Sequence, residues 1–90
     1  MTIFVANLNF RTTEQQLEEL FSPYGDIRSV KIITDVYSGR SRGFAFVRMA
    51  SGTEAQEAIR QLNNVSLDNN QLSVHEARPR TGNSLLKNIR

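Results

Sequence analysis

The pattern of apolar residues along the chain predicts six segments of regular structure. Residues 3–6, Ile27–Thr34 and residues 44–47 are rich in β-branched and aromatic side chains, which is typical of strands. Residues 72–75 alternate apolar and polar side chains, as a half-buried strand does. Between these strands, apolar residues recur at helical spacing in two places. The predicted order is therefore β-α-β-β-α-β.

Both predicted helices begin at a capping signal. Thr12 and Thr13 precede the first helix and Ser51 precedes the second, and each has a Gln or Glu three residues later, the pattern of a capping box. Pro23 and Gly25 end the first helix. The apolar residues expected to face the core are Leu17, Leu20 and Phe21 in the first helix and Ala55, Ala58, Ile59 and Leu62 in the second.

The helices fix the fold class. Each has one apolar stripe, so together they cover only one face of a sheet. We predict an α+β protein of the ferredoxin-like β-α-β-β-α-β type, with a four-stranded antiparallel sheet and both helices on one face. Residues 1–78 form the domain and residues 79–90 a basic C-terminal tail, while residues 35–43 form a loop rich in turn formers.

The uncovered face of this sheet carries an unusual set of side chains. Rings and arginines alternate outward along two strands: Phe4 and Ala6 in the first, and Arg42, Phe44, Phe46 and Arg48 in the third. An exposed apolar patch of this size marks an interaction surface. Flat rings beside cations suit unstacked bases and phosphates. The alternatives are that another element or subunit covers the rings, or that they form a cross-strand cluster that serves only stability.

Composition and charge exclude several kinds of functional site and indicate the kind of partner. The chain has no cysteine, which excludes disulfides and thiolate sites, and its single histidine excludes a multi-histidine metal site. We expect no cofactor. The formal charge of +2 is uneven, because residues 78–90 carry +4 and residues 1–77 carry −2, which favours a polyanionic partner. No apolar run approaches a membrane span and the first residues show no secretory signal, so we expect a cytoplasmic protein.

Two segments resemble the motifs of a known family. Residues 42–49, Arg-Gly-Phe-Ala-Phe-Val-Arg-Met, resemble the octamer motif of the RNA-recognition motif (RRM) family, and residues 3–8 resemble its hexamer motif. The resemblance covers residues 2–78 and is greatest to small single-domain RRM proteins of bacteria. Met49 stands where the octamer usually ends in Phe or Tyr, and by alternation it faces the core. Asn64 and Asn69 stand where the family often has Gly, and Asn can still hold the turn geometry.

The resemblance implies roles for the residues of the open face. Phe4 and Phe46 would stack on bases, Phe44 would pack against sugars, and Arg42 would bind a phosphate. Alternation also places Lys31 and Ile33 on this face. The further candidates for RNA contact are Arg40 in the preceding loop, Arg48 at the end of the octamer, His75 and Ala77 on the last strand, and Arg78 and Arg80 where the chain leaves that strand.

The function that these residues imply is binding of single-stranded RNA, with single-stranded DNA as an open alternative. A post-transcriptional regulator and an RNA chaperone are both compatible with this activity, and we expect a monomer. A protein-interaction module on the same sheet is a second hypothesis. A small enzyme such as an acylphosphatase is a third. It is disfavoured because no glycine-rich phosphate loop follows the first strand and no base–nucleophile pair is evident around His75.

Overall fold

The computed structural model describes residues 1–77. Its elements in chain order are β1 (Thr2–Ala6), α1 (Glu14–Phe21) continued by one 3₁₀ turn (Ser22–Tyr24), β2 (Ile27–Thr34), β3 (Ser41–Met49), α2 (Gly52–Leu62), the two-residue strands β4 (Ser66–Leu67) and β5 (Asn70–Gln71), and β6 (Ser73–Ala77). The predicted order is confirmed, with the short β4–β5 hairpin as an addition. Among the described residues, neither helix is long and apolar enough to cross a membrane.

The main sheet has the strand order β2-β3-β1-β6, and every neighbouring pair is antiparallel. The two strands that carry the motif segments, β1 and β3, therefore lie side by side at its centre. Their register pairs Ile3 with Val47 and Val5 with Ala45. Because opposite residues of an antiparallel pair point to the same face, these four side chains lie together on one face.

That face is covered by both helices, and it contains the core. All four of the paired residues are completely buried, as are Leu17 and Phe21 of α1 and Ala55 and Ala58 of α2. Met49 is only 2% exposed, which confirms that it faces the core. On β2, Ile32 is buried and Val30 packs against the core as predicted. The side chains that alternate with these residues consequently lie on the opposite face of the sheet.

Both predicted N-caps are present. Thr13 forms a complete capping box, because its side chain accepts a hydrogen bond from the Gln16 backbone N–H at 3.2 Å and the Gln16 side chain accepts one from the Thr13 N–H at 2.8 Å. At α2, Ser51 Oγ accepts from the Glu54 N–H at 3.3 Å without the reciprocal bond. The hydroxyl caps thus set the start of each helix, as the sequence predicts.

The boundaries of two predicted segments are wrong. The loop predicted at residues 35–43 ends earlier, because β3 begins at Ser41, which pairs with Thr34 of β2. A turn closed by the Asp35 N–H, which donates to the Arg40 carbonyl at 2.8 Å, is enough to connect the strands. The last strand starts at Ser73 rather than Leu72 and continues to Ala77.

Left-handed backbone conformations occur where the sequence has Asn, Asp or Gly. Asp68 and Asn69, the central residues of the β4–β5 hairpin, have φ of 52° and 69°, as a type I′ turn requires. Asn64 has φ of 74°, which confirms that the two asparagines hold turns where the family often has Gly. Gly43 has φ of 88° beside a register shift between β2 and β3, a conformation that favours glycine within the octamer.

The cap of α1 makes a prediction about stability. We expect Thr13→Ala to lower the free energy of unfolding by about 1 kcal/mol, because it removes the acceptor for the Gln16 N–H. Urea denaturation followed by far-ultraviolet circular dichroism measures the change. Thr53→Ala is the matched control, since Thr53 lies exposed inside α2. Equal loss in both variants would contradict the assigned role of the cap.

Candidate functional site

A row of four side chains crosses the face of the sheet opposite the helices. Phe4 on β1 lies opposite Phe46 on β3 and opposite His75 on β6, and Phe46 lies opposite Lys31 on β2. Since opposite residues share a face, the row runs Lys31, Phe46, Phe4 and His75 from one edge of the sheet to the other. Two aromatic rings therefore occupy its centre, with a cation at one end and an imidazole at the other.

The three phenylalanine rings contact one another. The centroid of the Phe4 ring lies 5.5 Å from that of Phe46 and 5.6 Å from that of Phe44, with interplanar angles of 50° and 45°. Tilted pairs at these distances are favourable. All three rings are half-buried, and no helix of residues 1–77 covers them. Their predicted orientation is confirmed, and we call Phe4, Phe44 and Phe46 the aromatic platform.

The cations around the platform form no ion pair within residues 1–77. The Arg42 guanidinium lies 5.8 Å from the centroid of the Phe44 ring, within the range of a cation–π contact. Arg48 and Lys31 are exposed. The one ion pair within the described part of the chain joins Arg60 and Glu57 on α2. The positive charges of the sheet face are thus available to a ligand.

The remaining predicted site residues occupy the margins of this face. Ile33 on β2 is half-buried, and Ala77 on β6 is half-buried opposite Thr2. Arg40 is exposed in the turn between β2 and β3, so it lies beside the sheet rather than on it. Arg78 and Arg80 lie outside the described residues.

His75 corrects one expectation from the sequence. Its Nε2 lies 2.8 Å from Ser73 Oγ, so a base–nucleophile pair does exist beside the only histidine. The two residues are separated by one position on β6, and alternation brings their side chains to the same exposed face. No acidic side chain of residues 1–77 hydrogen-bonds the other ring nitrogen. It therefore lacks the orienting group that activates a catalytic serine.

The turn between β2 and β3 is organised by one carboxylate. Asp35 Oδ2 accepts hydrogen bonds from the backbone N–H groups of Ser38 at 2.8 Å and Tyr37 at 3.1 Å. The bonds from Ser38 are the main reason that the pKa of Asp35 lies below its ordinary value, and Arg42 adds a smaller attraction. The carboxylate thereby holds the turn that carries Arg40 next to the platform.

Two exposed aromatic side chains were missed by the sequence analysis. Phe10 is 74% exposed in the loop after β1, and Tyr37 is 95% exposed at the tip of the β2–β3 turn. Neither belongs to a strand or a helix, so neither takes part in a periodic pattern. The available signal was a large ring inside a run of turn-forming polar residues, as in residues 7–10.

No group of three or more His, Asp or Glu side chains within residues 1–77 is arranged to hold a metal ion. The side chains on the platform face of the sheet are instead aromatic rings, cations, one imidazole and small side chains. This surface is suited to recognising a flat anionic ligand rather than to coordination chemistry.

Comparison with known proteins agrees with the motifs. A sequence model described as RNA recognition motif matches residues 3–73. The chain is 42% identical, over 80 residues, to a protein of Nostoc sp. named "Putative RNA-binding protein RbpD", covering 89% of this chain and 85% of that protein.

Solved structures give the same result at the level of the fold. The crystal structure of RNA Binding Protein PG1 superposes with a TM-score of 0.86 at 42% identity, covering 90% of this chain and 98% of that one. The chain in a structure named "SXL-LETHAL PROTEIN/RNA COMPLEX" superposes with a TM-score of 0.79 at 44% identity, covering 84% of this chain and 47% of that one. These similarities extend over most of the described residues.

The Asp35 turn makes a prediction about pH. Because the pKa of Asp35 is lowered in the folded protein, its contribution to the turn is complete above the ordinary aspartate pKa of about 4 and is lost as the pH falls through the lower folded value. A ¹³C-detected titration should give Asp35 a pKa below that of an unstructured aspartate, with the amide shifts of Tyr37 and Ser38 changing at the same midpoint. In Asp35→Asn these amide changes should disappear; their persistence would contradict the assignment.

Proposed function

Because the chain belongs to the RNA recognition motif family, we propose that the platform face of its sheet binds single-stranded RNA. In this proposal Phe4 and Phe46 stack on successive bases, and Phe44 packs against a sugar or between neighbouring nucleotides. The single observation that carries it is the group of three touching rings on the side of the sheet away from the helices, bordered by cations that form no ion pair within residues 1–77.

The energetics of the platform support binding of modest affinity. Stacking a base on an aromatic ring contributes about 1–3 kcal/mol with little sequence preference. Part of this gain is lost because a flexible strand must become ordered. Three rings therefore lead to dissociation constants from micromolar to high nanomolar. This range suits a protein that samples many RNA segments.

The cations supply the electrostatic part of the interaction. We propose that Arg42 binds a phosphate next to Phe44, which its position over the Phe44 ring supports, and that Lys31 and Arg48 contribute from neighbouring positions of the same face. In the proposal Arg40 reaches the ligand from the Asp35 turn, and His75 stacks on or hydrogen-bonds a base at the opposite edge. Arg78 and Arg80 extend this basic margin in the proposal. Ile33 and Ala77 complete the surface as apolar contacts.

The cellular role that follows is post-transcriptional. We propose a monomeric, non-enzymatic protein of the cytoplasm that acts as an RNA chaperone or as a regulator of translation or message stability. The relatives whose names include RNA binding support this class of role, as does the similar chain in a protein–RNA complex. Single-stranded DNA is the competing ligand, because stacking does not require the 2′-hydroxyl.

The platform rings are tested by a double substitution. Phe4→Ala combined with Phe46→Ala should weaken binding of a labelled random single-stranded RNA by roughly 30-fold or more, since two stacked bases are lost. Fluorescence anisotropy measures the affinity. Phe4→Tyr combined with Phe46→Tyr retains both rings and should bind nearly as the wild type does.

Stability must be followed in the same variants, because the rings also contact one another. Thermal denaturation followed by circular dichroism identifies a temperature at which each variant is folded, and the affinities are compared there. Equal affinity of the folded alanine variant and the wild type would overturn the proposal. A matching series with single-stranded DNA of the same length shows whether the ribose contributes.

The dependence of RNA affinity on salt concentration tests the proposed phosphate contacts. If about three to five phosphates are neutralised, log affinity should fall against log salt concentration with a slope of roughly −2 to −3.5. Arg42→Gln should make this slope shallower by about 0.7. Arg60→Gln is the matched control, since Arg60 lies on α2 and pairs with Glu57. An unchanged slope in Arg42→Gln would exclude Arg42 as a phosphate ligand.

A further inference from the structure

Phe10 is presented to solvent by a loop that is held in place. Its ring is 74% exposed, although it lies only two residues after the buried Leu8. The Leu8 N–H donates to the Gly43 carbonyl at 2.8 Å, which ties the start of the loop to β3. On the other side of Phe10, the Thr12 N–H donates to the Asn9 carbonyl at 3.0 Å. The exposed ring is therefore carried by backbone that is anchored on both sides.

The side chain of Asn9 completes this anchoring. Its Oδ1 accepts from the Arg11 N–H at 2.9 Å, which closes a turn around Phe10, and its Nδ2 donates to the Asp68 carbonyl at 3.0 Å. The loop after β1 is thus joined to the β4–β5 hairpin. Since these bonds are internal to the protein, a ligand that contacts Phe10 would not have to order the loop first.

A groove of about 490 Å³ lies between this loop and the beginning of β3. The lining residues that matter here are Asn7, Asn9, Phe10, Arg42, Phe44 and Asn70. Its volume is within the range of sites that bind small organic molecules. Phe10 and Phe44 both line it, so a planar group inside it has an aromatic ring within reach. The groove is consequently large enough and apolar enough for one base.

The groove is continuous with the aromatic platform. Phe44 belongs to both, and Arg42, which lies over the Phe44 ring, also lines the groove. Its lining contains one cation and no acidic residue, whereas residues 1–77 as a whole carry a formal charge of −2. The positive charge of the groove favours an anionic ligand. Because the groove is continuous with the platform, one such ligand can contact both surfaces.

Two of the asparagine side chains that line the groove use their amide nitrogens as donors to backbone carbonyls. Asn7 Nδ2 donates to the Gln71 carbonyl at 2.8 Å, and Asn70 Nδ2 donates to the Asn7 carbonyl at 3.0 Å. Within residues 1–77 the Oδ1 atom of each accepts no hydrogen bond. These two oxygens suit the amino group of a base or the hydroxyl of a ribose.

We infer that Phe10 and this groove form an additional nucleotide subsite, in which an RNA strand that leaves the platform past Phe44 stacks one further base on Phe10. The inference rests on the proposed function and extends it from the sheet to the loop after β1. Arg42 then lies at the junction between the platform nucleotides and the additional one. The RNA segment that the protein binds is then longer than the segment that the three rings of the platform would bind alone.

RNA length separates this subsite from the platform. Phe10→Ala should weaken binding of random hexanucleotide and octanucleotide RNA by about fivefold or more, because one stacked base is lost. Binding of trinucleotides, which the platform alone can hold, should change by less than twofold. Phe10→Tyr retains the ring and should restore the affinity for the longer RNA. Gln56→Ala, on the exposed side of α2, is the neutral control.

Nuclear magnetic resonance locates the effect. The backbone amide of Phe10 and the side-chain amides of Asn7 and Asn70 should shift when hexanucleotide is added and not when trinucleotide is added. Equal affinities of Phe10→Ala and the wild type at every length would overturn the subsite. An equal loss at every length would also overturn it, since Phe10 would then act on the platform or the fold. Concentration-dependent association that disappears in Phe10→Ala, with RNA binding unchanged, would assign the groove to a second copy of the chain instead.

The experiment distinguishes failure of the subsite from failure of the proposed function. The double alanine variant of Phe4 and Phe46 should weaken binding at all lengths. If that variant binds all lengths as the wild type does, the platform is not the RNA site and the proposed function fails. If it weakens all lengths while Phe10→Ala changes none, the platform stands and only the subsite is lost.

Discussion

The structure depends on the alternation of side chains along a sheet that is covered on one face only. Ile3 and Val5 must point toward the helices for the core to form, so Phe4 between them must point away. The same holds for Phe46 between Ala45 and Val47. A shift of the register by one residue would expose the core and bury the rings beneath the helices. Packing on one side of the sheet thereby determines the recognition surface on the other.

Pairing of the strands then places the outward side chains of neighbouring strands next to one another in a fixed array. Phe4 lies on a central strand, opposite Phe46 on one side and opposite His75 on the other. The mutual contacts of the rings restrict their motion, which reduces the entropy that binding must remove. A cross-strand cluster that stabilises the fold and a stacking platform are therefore not exclusive alternatives. The contacts between the rings fix the arrangement of the ring surfaces that remain exposed to solvent.

The sequence predicted those features that follow from periodicity and from local hydrogen bonding. Alternation identified the outward rings, and a hydroxyl residue three positions before Gln16 or Glu54 identified the start of each helix. The start of β3 at Ser41 was missed because polar residues resemble a loop, and only pairing with Thr34 makes them a strand. The exposure of Phe10 was missed for a related reason, since it depends on where the neighbouring loops lie and no local pattern records that. The Ser73–His75 contact, in contrast, joins residues two positions apart on one strand, so the alternation pattern was sufficient to predict it.

In the proposed function, the distribution of charge determines how stacking and electrostatics each contribute to RNA binding. The described residues carry a formal charge of −2, so the domain as a whole does not attract a polyanion over long distances. In the proposed function the cations of the sheet act locally instead, because Arg42 and Lys31 lie beside rings and form no ion pair within residues 1–77. Exposed charges at such sites are screened by salt, whereas stacking is much less sensitive to it. We therefore propose that this surface selects for unpaired bases first and for negative charge second. Under this proposal double-stranded nucleic acid, which offers phosphates but no free base faces, is a poor ligand.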